Sequence, residues 1–139
     1  MNKLFTCLPV IISLFLFVGS CKKIESNDPG LLPNIVFKTG SGYTSKDTTV
    51  AAGTVLKTGI NANKSEPTDV LKIFSITRIY DGGLSSNMYK ADLTGSQGDN
   101  YSYDYNITTR TSAGTEKYTY TVSNRDGLVN SISLTVTTQ

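Results

Sequence analysis

Side chains able to do covalent chemistry are few in this sequence. Cys7 and Cys21 are the only thiols, and the chain has no histidine and no tryptophan. Without histidine, neither a Ser-His-Asp triad nor a Cys-His pair can form, and the usual zinc ligand sets are closed. Carboxylates remain, and Asp81, Asp99, Asp104 and Asp126 lie in or beside turn-rich segments. Loop oxygens of this kind can hold calcium, although no dense Asp-x-Asp-x-Asp run is present. Two of them face to face could make a small glycosidase, one raised in pKa as the acid, but no two are marked as facing. The chain therefore reads as non-catalytic, with no cofactor. Tyrosine is the most abundant aromatic, at eight residues, and Tyr101, Tyr103 and Tyr105 share one face of an alternating run. Facing outward they would stack on the apolar faces of sugar rings; facing inward they would be core.

The first twenty residues decide where such side chains would work. Met1-Asn2-Lys3 is a short basic start, Leu4 to Val18 is an apolar run, and small residues follow. That pattern describes a cleaved secretory signal, residues 1–20, and the run is shorter than the roughly 20 residues a membrane-crossing helix needs. Val18-Gly19-Ser20-Cys21 resembles a bacterial lipobox. The resemblance implies that the Cys21 thiol accepts a diacylglycerol and, after cleavage, becomes the N-terminus of a membrane-anchored protein. Cys7 would leave with the signal, so the folded part would hold no free thiol and no disulfide. From Cys21 to Gln139 there are 119 residues with 12 basic and 11 acidic side chains, one domain's worth of nearly neutral chain. No basic stripe supports nucleic acid as a partner.

Residues 21–33 carry charge, Pro29-Gly30 and Pro33 without any period, and read as a flexible tether. The Ser20-Cys21-Lys22-Lys23 junction resembles lipoproteins of the Bacteroidetes, in which early acidic residues favour the outer face of the outer membrane. Glu25 and Asp28 are present here, behind Lys22, Lys23 and Ile24. The expectation is the outer membrane, at the cell surface, with the periplasmic face as the other option. Asp47-Thr48-Thr49 resembles the O-glycosylation acceptor of exported proteins in that group, with Thr48 as the acceptor. Asn63-Lys64-Ser65 and Asn106-Ile107-Thr108 match the eukaryotic acceptor, which a bacterial lipoprotein would seldom use.

From residue 34 to 139 helix periodicity is absent, and Thr, Ser, Val, Ile and Tyr crowd into short alternating runs. Asn34–Lys38 and Thr48–Val50 predict short strands. Thr54–Ala62 predicts a half-buried strand with Leu56, Thr58, Ile60 and Ala62 on one face. Val70–Tyr80 is the most apolar segment, and its alternation slips between Leu71/Ile73 and Phe74/Ile76. A central strand with a bulge explains that slip. Asp81-Gly82-Gly83 predicts a turn, Leu84–Leu93 a weaker strand, Thr94–Asn100 a loop and Tyr101–Thr109 another strand. Ala113–Asn124 and Leu128–Thr138 predict a hairpin closed at Asp126-Gly127. About seven strands spaced this way predict an all-β two-sheet sandwich.

Gly114-Thr115-Glu116-Lys117-Tyr118-Thr119-Tyr120, then Asp126-Gly127, then Ser131 to Val136 resembles the last two strands of bacterial immunoglobulin-like domains. Val50 to Ala62 resembles their A′–B region. By that resemblance Tyr118 is a tyrosine-corner residue whose hydroxyl reaches nearby backbone, and Tyr120 stands where antibody domains keep a cysteine. The expectation is a lipid-anchored envelope protein with a binding or assembly module, accessory to a glycan-capture complex. The alternative is a structural or adhesive module contacting another envelope protein; a calcium-dependent module or small glycosidase comes third. A glycan module needs an exposed aromatic patch, whereas an adhesive one needs a long unprotected edge strand.

Overall fold

The structure is a computed structural model, and it describes residues 30–139. The signal segment, Cys21 and the tether as far as residue 29 lie outside the described residues. Eight strands follow one another: β1 (Asn34–Phe37), β2 (Thr48–Val50), β3 (Val55–Asn63), β4 (Leu71–Tyr80), β5 (Ser85–Asp92), β6 (Asn100–Thr108), β7 (Gly114–Asn124) and β8 (Val129–Thr138). They form two facing sheets, β1-β3-β6 and β2-β8-β7-β4-β5. All pairings are antiparallel except β2 with β8. The chain thus leaves the first sheet after β1 and joins the second at β2, the A-to-A′ step of an immunoglobulin-like sandwich. The short segment Thr48–Val50 does enter the sheet, and as β2, only three residues long, it completes the edge of the larger one. The loop expected after Leu93 contains one 3₁₀ turn, Gly95–Gly98.

Alternation decides the core. Leu56, Thr58, Ile60 and Ala62 of β3 point between the sheets, as the sequence pattern requires, and meet Phe74, Ile76, Tyr120, Val122, Leu134 and Val136 from the other side. In β4 the slip in apolar phase is a bulge against β7: Leu71 pairs Asn124 and Ile73 pairs Ser123, so Lys72 is the extra residue. Leu71 therefore points inward on an odd number and Phe74 and Ile76 on even ones. A second irregularity between β4 and β5 leaves Met88 as the extra residue and turns both Met88 and Tyr89 towards the core.

A buried hydroxyl pair links the two sheets through the core. Thr58 Oγ1 and Tyr120 Oη are 2.6 Å apart, both fully buried, and Thr58 also donates to the Tyr105 carbonyl at 2.9 Å. Tyr120 stands where the resemblance places a half-cystine, so a hydroxyl pair links the sheets there without a disulfide. A Thr58→Val, Tyr120→Phe double-mutant cycle in urea denaturation should return a coupling of about 1 kcal/mol. Additive single effects would mean the bond contributes nothing of its own.

The tether does not run free up to Pro33. Leu31 N–H donates to Glu66 Oε2 at 3.2 Å, Ser65 Oγ to the Leu32 carbonyl at 2.6 Å, and Asn130 Nδ2 to the Pro33 carbonyl at 2.9 Å. Pro33 itself is buried. Its last residues are docked because exposed carbonyls of an extended segment find side-chain donors on the domain.

Candidate functional site

Tyr101, Tyr103 and Tyr105 lie on the inner face of β6, so the outward platform is not formed by this stripe. Tyr101 is buried; Tyr103 and Tyr105 are half-buried at the open side of the sandwich. Phe74 packs on Tyr101 and Tyr103 at ring separations of 5.3 and 5.7 Å, and Tyr89 of β5 stacks on Tyr103 at 4.3 Å. Burial, followed by the neighbouring Tyr89 hydroxyl, raises the pKa of both Tyr101 and Tyr103. The rings close a seam between the β5 and β6 edges.

The opposite face of β6 carries Asn100, Ser102, Asp104 and Asn106. Pairing puts Asn34, Asn63 and Asn100 in one row and Val36, Asn61 and Ser102 in the next. Asn61, Asn63, Asn100 and Ser102 help line an open hollow of about 230 Å³. Further along, Tyr43 from the β1–β2 connection lies against Gly59. Its hydroxyl donates to Asp104 Oδ2 at 2.9 Å, while Lys38 and Lys57 pair with Asp104 at 2.5 and 2.8 Å. A Cβ on Gly59 would come within 2.8 Å of Tyr43 Cε1 and 2.7 Å of Asp104 Oδ1, so only glycine lets the ring settle there. The two lysines and Tyr43 hold the Asp104 carboxyl far below the usual carboxylate range. This cluster pins the connection that carries the chain from one sheet to the other.

The calcium candidates are not brought together. Asp81 pairs with Arg110 at 2.5 Å, Asp99 with Lys64 at 2.5 Å, and Asp126 with Arg125 at 3.3 Å, while Asp104 has its two lysines. Among the described residues no group of three or more His, Cys, Asp or Glu could hold a metal ion. Each carboxylate is held by a cation instead, and for Asp81, Asp99 and Asp104 that cation comes from a distant part of the chain. Asp81, at φ 48, accepts the Thr115 amide at 2.7 Å, and Arg110, then that amide, lower its pKa. Thr48 opens β2 and is half-buried; Asp47 Oδ1 accepts the Thr135 amide at 2.7 Å, satisfying an edge donor of β8.

Tyr118 does not follow the expected corner. Its hydroxyl donates to Glu116 Oε2 at 2.6 Å, and Glu116 Oε1 in turn accepts the Arg110 amide at 2.5 Å. The backbone is reached through a carboxylate, not directly. Glu116 is fully buried, and burial, then Glu116 itself, raises the Tyr118 pKa while Arg78 opposes the shift. The signal in the sequence is phase, since Glu116 falls on the same side as Tyr118, Tyr120 and Val122. At the other end of β7, buried Asn124 donates to buried Asp69 and accepts the Leu128 amide at 2.7 Å, which fixes the β7–β8 turn.

No family model matches the chain, and no curated protein does. Among solved structures it is similar to a variant of the superoxide reductase (neelaredoxin) from Ignicoccus hospitalis, at 8% identity and TM-score 0.46, over 76% of this chain and 79% of that one. It is also similar to the CARDB domain of the PF1109 protein from Pyrococcus furiosus, in complex with di-metal ions, at 14% identity and TM-score 0.42, over 77% and 90%. A β-glucosidase from Listeria innocua matches at 11% identity and TM-score 0.44, over 75% of this chain but only 16% of that one.

Proposed function

We propose that this is a lipid-anchored protein of the bacterial outer membrane whose sandwich is a non-catalytic contact module for another envelope protein. The observation that carries the anchor is Val18-Gly19-Ser20-Cys21 directly behind the apolar run. Support for protein contact comes from the two features that separate the readings. The tyrosine stripe is turned between the sheets, while β6 runs nine residues along an open sheet edge. Outward presentation at the cell surface and O-glycosylation at Thr48 belong to the same proposal.

Glycan capture is the second reading, favoured by the amide-rich rows Asn34-Asn63-Asn100 and Asn61-Ser102, whose side chains both donate and accept. On that reading an Asn61→Ala, Asn100→Ala pair abolishes binding to a polysaccharide panel, whereas Tyr103→Ala acts only through stability.

The anchor is tested by growing cells with alkyne-palmitate. The wild-type chain should take up the label, carry an acylated N-terminal cysteine by mass spectrometry and sediment with outer membranes; Cys21→Ser should lose the label entirely. An unlabelled wild-type chain, or one retaining residues 1–20, would falsify the anchored reading.

A further inference from the structure

We propose that the free edge of β6 is a strand-addition site that takes an extended segment of another polypeptide with apolar side chains at alternate positions. Among the sheet edges it is the long unguarded one. β1 has four residues and β2 three, and β5 is broken by its bulge at Met88 and carries Lys90. β6 pairs with β3 without a register shift, and its nine residues contain no proline, lysine or arginine. Bulges, lysines and prolines are the devices that keep sheet edges from pairing, and none interrupts this one.

The direction of its backbone groups follows from the ladder. Thr109 N–H donates to the Thr54 carbonyl at 2.9 Å and Lys64 N–H to the Asp99 carbonyl at 3.1 Å, so odd-numbered residues turn their amides towards β3. The amides and carbonyls of Asn100, Ser102, Asp104, Asn106 and Thr108 therefore point off the edge. Among the described residues, no hydrogen bond reaches these ten groups.

Sheet width supplies the independent observation. Three strands face five, and β6 already lies over β4, with Phe74 against Tyr101 and Tyr103. Among the described residues β5 meets the smaller sheet at the β6 tyrosines, where Tyr89 stacks on Tyr103, and no strand continues the smaller sheet beyond them. The inner side chains of β5, Met88, Tyr89 and Ala91, with Tyr103 and Tyr105 of β6, are only partly buried. A fourth strand set about 4.8 Å beyond β6 would cover them. Inward positions of that strand would need apolar side chains, and outward ones would sit beside Asn100, Ser102, Asp104 and Asn106 and need polar ones. A second copy fits poorly, because full antiparallel pairing of β6 with its own symmetry mate sets the net-positive Lys38–Lys57–Asp104 cluster against its own copy.

The proposal rests on the protein-contact reading and is independent of the anchor, whose failure shows as a missing acyl label. The test uses the full mature chain in detergent and, as probe, a nonapeptide of alternating valine and threonine with lysine at both ends. In the free chain the Ser102, Asp104 and Asn106 amides should exchange with deuterium rapidly, and those of Tyr103 and Tyr105 slowly. Peptide binding should protect the first set. Ser102→Pro and Asn106→Pro, placed where an edge tolerates proline, should each weaken binding about ten-fold, and Lys90→Pro on the β5 edge should leave it unchanged. Absence of binding at millimolar peptide, binding that both β6 proline variants retain, or protection of the three amides in the free monomer overturns the proposal. A dimer that Asn106→Pro dissociates also overturns it, in favour of a second copy.

Discussion

Glu116→Ala is expected to destabilise the domain by about 3–5 kcal/mol, the largest effect of any polar substitution in it. The carboxylate is fully buried, and both oxygens are engaged, one by the Tyr118 hydroxyl and one by the Arg110 amide. Truncation leaves a buried hydroxyl and a part-buried amide without acceptors. It also leaves the Tyr118 hydroxyl beside the Arg78 cation with no carboxylate to oppose it. Arg78 Nε is itself buried without a hydrogen-bond partner, and its guanidinium lies 4.1 Å from the Tyr80 ring centre. Glu116→Gln preserves volume and one acceptor but turns an N–H towards either the Arg110 amide or the Tyr118 hydroxyl. It should cost less, about 1–2 kcal/mol. Urea denaturation of the two variants against wild type reads both values. If alanine proved no worse than glutamine, the carboxylate would be a passive passenger of strand β7, and the relayed corner would have no energetic content.

Glu116 also shows why part of this molecule is legible in the sequence and part is not. Period-two patterns report which residues share a face, and they locate the faces of β3, β7 and β8 because each has a clearly apolar side. They also report the bulge in β4, where the apolar phase changes between Leu71 and Phe74. On β6 the pattern is symmetric in its information: tyrosines on one side, Asn, Ser and Asp on the other, either able to meet water. Pairing with β3 breaks the tie, since Thr58 and Ile60 face inward and bring Tyr105 and Tyr103 with them. Glu116 is hidden for the opposite reason, because a charge on a strand is ordinarily a surface residue. Tyr43 cannot be placed from sequence at all, as its position depends on Gly59 and Asp104, far away along the chain. Three Asp side chains that look like ion ligands find Lys or Arg partners at distances sequence spacing cannot reveal.

The same placement of tyrosines fixes how the domain responds to pH. Its stability should be nearly constant from about pH 6 to 9 and fall steeply between about pH 10 and 12. The flat region follows from the absence of histidine in the whole chain. The fall follows from tyrosine. Burial pushes the Tyr120 hydroxyl up to about 12 from an ordinary value of 10.0, and Tyr101, Tyr103 and Tyr118 are raised as well. Above about pH 10 an unfolded chain releases these protons while the folded one keeps them, so the unfolded state binds fewer protons and stability drops as pH rises. The contribution is fully present below about pH 10 and is lost through the folded values. Tyr120 alone accounts for about 3 kcal/mol across that window. Tyr120→Phe separates this from general alkaline damage. At about pH 8 it should be less stable than wild type by about 1 kcal/mol, because Thr58 loses a partner. By about pH 12 the two curves should have converged or crossed, because phenylalanine has no proton to lose. Parallel curves from about pH 8 to 12 would mean that the Tyr120 hydroxyl ionises in the folded core as readily as in water, against the burial that raises it.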